Sequence, residues 1–293
     1  MRSLLFVPGD SEKKLEKSMS SGADALVLDL EDSVAPPAKA GARKTVCDFL
    51  NNAREAKQRP LLYVRVNALE TGLLDGDLDG VLSAAPDGII LPKCTNGADA
   101  ILLDAKLAAR EAIAGLPDNS TRVIALATET PASIFSLGTY RGASKRLVGL
   151  CWAGEDLSAA VNAESNRLPG GDYTDPYRVV RALCLFAAVA AELMPIDSVY
   201  TNYRDLDGLR AEAMDARRDG FVAKLAIHPG QVPVINAVFT PTPEAIAHAK
   251  TVIAAFAANP GAGVVGLDGA MLDRPHLIRA ERLLERAKTA GVA

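Results

Sequence analysis

The chain has 293 residues, 49% of them hydrophobic and 23% charged, with a formal net charge of −4. That length and apolar content can build a large core. With no long run of either charge sign, the chain lacks the electrostatic footprint of a nucleic-acid or membrane-surface binder. The cysteines Cys47, Cys94, Cys151 and Cys184 show no CxxC pair and no zinc-type spacing with histidine, so they read as reduced thiols of a cytoplasmic protein.

In chain order, the first apolar stretch is broken at Pro8 and Gly9 and is too short for a signal peptide. Eight short β-branched or Leu-rich runs then recur as expected strands: LLFVP (4–8), ALVLDLE (25–31), LLYVRV (61–66), GIILPK (88–93), RVIALAT (122–128), RLVGLCW (146–152), DSVYTN (197–202) and FVAKLAI (221–227). Most lack polar alternation, as expected of strands covered on both faces. Helix-compatible stretches separate them. Thr130-Pro131 offers an N-cap followed by proline at the first helical position. In 178–194, Val179, Leu183, Phe186, Ala190 and Leu193 keep the spacing of one buried helix face. The run LCLFAAVAA within it is too short to span a bilayer.

About eight strand–helix units in the first ~230 residues suit a (β/α)₈ barrel, with a doubly wound open sheet as the rival. Polar residues decide between them. Glu31 and Asp32, Arg65, Lys93, Glu129, Glu155 and Asp156, Asn202 and His228 stand at or just after the C-terminal ends of most of these runs. A closed barrel gathers those ends on one rim, whereas an open sheet spreads them along an edge. The expected architecture is therefore an α/β TIM barrel over residues 1–257, its site at the C-terminal strand ends. Residues 258–293 form a Gly-rich connector and a last amphipathic helix with Leu277, Ala280, Leu284 and Ala287 on one face. This extension would close over a barrel mouth, its own or a neighbour's. GAGVVG (261–266) matches a dinucleotide-binding pattern but lacks the strand before and helix after that the motif requires.

Glu129 and Asp156 end consecutive strands, so a barrel sets them side by side. Two carboxylates at a dry rim repel unless a proton or cation intervenes, and Mg²⁺ commonly takes one or two carboxylates while keeping water and substrate positions. The plainer alternatives are that Asp156 caps the helix it opens and Glu129 pairs at the surface. Arg65 would either grip a substrate carboxylate through parallel hydrogen bonds or pair with Glu31 or Asp32. Lys93 has the same two readings, the structural one ahead. His228 is expected to be a core histidine. No Ser-His-Asp set or GxSxG elbow is present.

The segments RSLLFVPGD, GADALVLDLEDSV, YVRVNAL, GIILPK, ETPASI, WAGEDL, IHPGQV and LDGAMLDRP occur in one order. In this the chain resembles the citrate lyase β-subunit-like CoA-ester lyases of the HpcH/HpaI aldolase superfamily, which include malyl-CoA and citramalyl-CoA lyases. The resemblance runs from residue 2 into the last helix. It implies a TIM barrel that uses Mg²⁺ to cleave or form a C–C bond in a 3-hydroxyacyl-CoA ester, giving acetyl-CoA and a 2-oxo acid. By motif, Glu129 and Asp156 would be the metal ligands, and Arg65 would hold the 2-oxo acid's carboxylate. Glu31 and Asp32 would order metal-bound water, and Lys14 and Lys17 would contact CoA. Arg65, Glu129, Lys93, Trp152 and Ala153 would surround substrate. Asp273 would be the base, entering a neighbour's site, which requires at least a dimer, and the resemblance suggests a homotrimer or hexamer. Ala270 stands where the family often has Lys or Arg. The same resemblance admits a malyl-CoA thioesterase, or a citrate lyase β subunit that works with an acyl-carrier partner.

Overall fold

The computed structural model describes every residue except 55 and 57. The order is β1 (Ser3–Pro8), α1 (Glu12–Ser18), β2 (Ala25–Asp29), α2 (Lys39–Ala53), β3 (Leu61–Arg65), α3 (Leu74–Val81), β4 (Gly88–Leu91) and α4 (Gly97–Ala114). Then come β5 (Arg122–Leu126), α5 (Pro131–Ile134), β6 (Leu147–Cys151), α6 (Gly154–Ala160), α7 (Asp175–Ala190), β7 (Met194–Asp197), α8 (Leu206–Asp219) and β8 (Ala223–Ala226). The chain ends in α9 (Val232–Phe239), α10 (Pro243–Ala257), β9 (Val264–Leu267), β10 (Ala270–Asp273) and α11 (Arg274–Thr289).

Strands β1 to β8 form a closed barrel in sequence order. Every pair is parallel, and β1 closes on β8 through Ser3↔Lys224 and Leu4↔Leu225. Alternation of period two sorts the side chains. Leu4, Val27, Tyr63, Ile90, Ile124, Cys151 and Leu225 fill the interior, while Leu5, Leu28, Val64, Leu91 and Leu150 pack under the helices. Both faces are dry, so the runs read as continuously apolar. Among the described residues no helix is long and apolar enough to cross a membrane.

Three expectations are corrected. The seventh strand lies at Met194–Asp197 rather than 197–202. Asp197 is its buried last residue, held by Lys224 of β8, and not a polar start. Helix α7 buries Tyr177, Val180, Cys184, Leu185 and Ala188. Val179, Leu183 and Phe186 of the expected face stand 57%, 41% and 66% exposed. The helix is apolar nearly all round, so periodicity alone cannot choose its inner side. The supposed connector after residue 257 contains the antiparallel hairpin β9–β10. Its two-residue Asp268-Gly269 turn has φ of +50° and +78°, the left-handed pair that closes hairpins of this length. GAGVVG runs into this hairpin, where no helix N-terminus faces a phosphate.

The hairpin and α11 pack on α10 around Val252, Val265, Leu272 and Ala280. Of the face expected on α11, Ala280 and Ala287 are buried, and Leu277 and Leu284 are half-buried.

Candidate active site

β5 runs out into Thr128 and Glu129, which is only 2% exposed. The chain turns at once into α5, where the Thr130 hydroxyl accepts the Ser133 N–H as the N-cap. Beside it, Lys93 after β4 has φ of +51°, an uncommon backbone for a side chain with a Cβ. In that conformation its N–H donates to Glu129 Oε2. The Glu129 carboxyl is pushed up to about 8. Burial is the main cause, the charge of Asp156 comes next, and Glu31 adds to it.

Asp156 lies in the first turn of α6, half-buried, with Ala153 at the cap position. It makes no hydrogen bond or ion pair with any described residue, so the capping reading fails. The Ala153 N–H instead donates to Thr128 Oγ1 at 2.8 Å, tying the ends of β5 and β6 together.

Arg65 is held in the mouth by a partner that sequence reading did not name. Its Nε and Nη2 donate to the two oxygens of Asp29, each at 2.7 Å, across the β2–β3 register that pairs these residues. Its guanidinium lies over the Phe6 ring, 4.7 Å from the centroid. Nη1 stands 2.9 Å from Glu31 Oε2, an ion-pair distance without hydrogen-bond direction, so that buried oxygen has no hydrogen-bond partner. The other Glu31 oxygen takes Lys93 Nζ at 2.6 Å, and Asp32 lies 3.5 Å from the same ammonium. Burial raises the Glu31 carboxyl, outweighing the opposing pull of Arg65 and Lys93. Lys93 is therefore an ion-pair member, as its structural reading holds, while Arg65 pairs with Asp29 and Glu31 rather than Asp32.

Asp29, Glu31, Asp32, Glu129 and Asp156 thus gather at this mouth with Arg65 and Lys93, while the Lys39 ammonium beside them donates to the Leu30 and Glu31 carbonyls. That excess of carboxylates favours a cation. Among the described residues no group of three or more His, Cys, Asp or Glu converges on one point.

The remaining expected residues lie apart. Trp152 is fully buried, its indole turned from the mouth into the wall under the helices. Lys14 and Lys17 are exposed on α1. His228 is exposed rather than in the core, stacked on Tyr203 with centroids 5.0 Å apart. Asp273 ends β10. Its Oδ1 is 2.5 Å from His276 Nδ1, and none of its polar contacts reaches Arg65, Glu31, Glu129 or Asp156.

The family described as HpcH/HpaI aldolase/citrate lyase matches residues 2–229. The chain belongs to that family. This HpcH/HpaI-family chain is 36% identical to the citrate lyase subunit beta of Haemophilus influenzae, covering 98% of this chain and 97% of that one. It is 34% identical to a (3S)-malyl-CoA thioesterase of Cereibacter sphaeroides, covering 98% and 94%. The crystal structure of CitE from Mycobacterium tuberculosis in complex with magnesium, acetoacetate and coenzyme A superposes on it with a TM-score of 0.78, at 33% identity and 98% coverage of both chains. A second CitE structure, with magnesium and pyruvate, gives 0.71 at 29% identity, covering 97% of each chain.

Proposed function

We propose that this family member is a Mg²⁺-dependent C–C lyase of a 3-hydroxyacyl-CoA dicarboxylate such as malyl-CoA or citramalyl-CoA, running a reversible Claisen-type cleavage to acetyl-CoA and a 2-oxo acid. The observation that carries the reading is the carboxylate pair Glu129 and Asp156. One is buried and driven toward the neutral acid by the other, and the second has no partner of its own. The residues present fit a divalent ion, and Glu31 Oε2 is a buried acceptor free to order its water. Glu129 and Asp156 would hold the ion, and Mg²⁺ when bound acts as a Lewis acid toward an oxo-acid carbonyl.

The chain's own groups do the rest. Arg65, clamped through Nε and Nη2, keeps Nη1 without a hydrogen bond and offers it to the oxo acid's carboxylate. Lys93 and Glu31 brace each other on the neighbouring strand ends. In the condensation direction Asp273, reaching into a neighbouring copy's barrel, removes a methyl proton of acetyl-CoA, and in cleavage it returns that proton to the enolate. Two features support this trans placement: its carboxylate is 41% exposed, and its side-chain contact within the chain is the neighbouring His276 ring rather than a residue of the mouth. A homo-oligomer is supported by the apolar stripe Val179, Leu183 and Phe186 on α7, which one chain leaves exposed; the family resemblance suggests a trimer or hexamer. The four free cysteines suit the cytoplasm.

Hydrolysis of malyl-CoA is the second reading, favoured by the relative of that name. A third is a citrate lyase β subunit dependent on an acyl carrier. One experiment separates them. The purified protein with Mg²⁺ is given a panel of hydroxyacyl-CoA esters and both fragments are identified by mass. Acetyl-CoA plus a 2-oxo acid supports the lyase, free CoA plus intact hydroxy acid the thioesterase, and no turnover without a carrier the subunit.

A further inference from the structure

Behind the mouth, between the barrel wall and α7–α8, lies a set of buried charges that the proposed chemistry does not use. Asp197 is fully buried at the end of β7. Its Oδ2 accepts from Lys224 Nζ at 2.7 Å, and its Oδ1 from Arg181 Nε at 3.0 Å. Lys224, also fully buried, donates in addition to Glu212 Oε1 at 2.8 Å, and Glu212 is held by Arg167 at 2.6 Å. Burial opposes ionisation of Asp197, but Lys224 and Arg181 outweigh it and keep the carboxyl below its ordinary range. A carboxylate fixed from both sides is a rigid, charged acceptor.

The remaining donor to that acceptor is Trp152, whose Nε1 reaches Asp197 Oδ1 at 2.6 Å. The indole lies edge-on to Tyr173, with centroids 4.9 Å apart and planes at 75°. Its far edge supports the start of α6, where a Cβ added at Gly154 would come within 2.9 Å of the ring. Gly154 is the first residue of that helix and Asp156 the third. The N–H of Ala153, between Trp152 and Gly154, ties to Thr128, the residue before Glu129. The chain of contact therefore runs from Lys224 and Arg181 through Asp197 and Trp152 to the turn that carries Asp156.

We propose that Asp197 is a positioning residue for the cation site: by anchoring the Trp152 indole it sets the first turn of α6, and so the approach of Asp156 to Glu129. The inference rests on the reading of Glu129 and Asp156 as a divalent-ion site. It also accounts for a buried glycine at 154 and for an aspartate that is otherwise costly to bury. A site built to hold two carboxylates together without an ion needs such bracing from packed and hydrogen-bonded neighbours.

The test is a double-mutant cycle read by Mn²⁺ binding, measured as free Mn²⁺ by electron paramagnetic resonance, with circular dichroism and thermal unfolding recorded alongside. Trp152→Phe keeps a ring in the wall but removes the N–H, and Asp197 retains Lys224 and Arg181. This variant should fold and bind Mn²⁺ about tenfold more weakly, the order expected for one hydrogen bond to a charged group. Asp197→Asn should weaken Mn²⁺ in the same direction, and the double variant should be no weaker than the worse single one, since both act through one contact. Wild-type affinity in folded Trp152→Phe, or additive losses in the cycle, would overturn the proposal. Should Asp197→Asn fail to fold, Trp152→Phe and Gly154→Ala still decide. The added methyl presses on the indole and should also weaken Mn²⁺, and wild-type affinity in both folded variants overturns the proposal. Absence of Mn²⁺ binding in the wild type would instead sink the cation site itself, and Asp156→Ala, expected to lose binding outright, keeps the two failures apart.

Discussion

Glu129→Gln removes a carboxyl whose burial outweighs the support it receives from the Lys93 N–H and the charge of Arg65. In the metal-free protein Glu129 titrates near about 8, against 4.5 for an ordinary glutamate. Between those values the native state holds a proton that the unfolded chain has released, so raising the pH removes stability across that window and costs nothing further above it. At about 1.4 kcal/mol per pH unit the loss is under about 1 kcal/mol at pH 5, about 3 at pH 7 and approaches about 5 above pH 9. Glutamine does not titrate, and its Oε1 can still accept the Lys93 N–H. Urea unfolding in chelator should show the stability of the variant minus that of the wild type rising by about 2 kcal/mol from pH 5 to pH 7, whatever constant offset the buried amide brings. Saturating Mg²⁺ should stabilise the wild type alone, by an amount that grows with the logarithm of its concentration. Parallel pH profiles for the two proteins in chelator would show that Glu129 is neither dry nor pressed by Asp156, and the reasoning would fail at its root.

Three further outcomes follow from other parts of the molecule. Asp273→Asn should slow exchange of the acetyl-CoA methyl protons into deuterated water by at least about 100-fold, the usual range for a general base, with Mn²⁺ affinity unchanged. Exchange at the wild-type rate would assign the base elsewhere. Asp29→Asn loosens one arm of the Arg65 clamp. It should raise KM for the 2-oxo acid about tenfold while kcat changes less, because the lost contact orients substrate rather than the transition state; equal falls in kcat and kcat/KM would argue against that role. Phe186→Glu on the exposed stripe of α7 should lower the mass seen by light scattering to that of one chain, together with the lyase activity. An intact oligomer would move the interface off α7.

The barrel was legible because each strand is dry on both faces, and because a polar residue marks the point where most of them leave the core. The same rule located Glu129, Asp156, Glu31 and Arg65. Where it failed, the cause is physical. Asp29 is the last residue of an apolar strand, and its partner Arg65 is 36 residues away. Asp197 and Lys224 meet across 27 residues. Such pairings belong to the register of neighbouring strands, and the only local hint is a lone charge within an apolar run. Helix α7 offered two apolar faces, and only the wall it packs against chooses between them. The β9–β10 hairpin did carry a local signal, the Asp-Gly pair at 268–269 between short apolar runs, which the surrounding glycines obscured.

The central claim is that Glu129 and Asp156 share one divalent cation at the barrel mouth. A crystal structure of the protein with Mg²⁺ and a 2-oxo acid tests it most directly. The expected result is one ion with an oxygen from each carboxylate at about 2.0–2.1 Å and the acid's carboxylate against Arg65. An ion seated elsewhere, or Glu129 and Asp156 turned away from a bound acid, would contradict it.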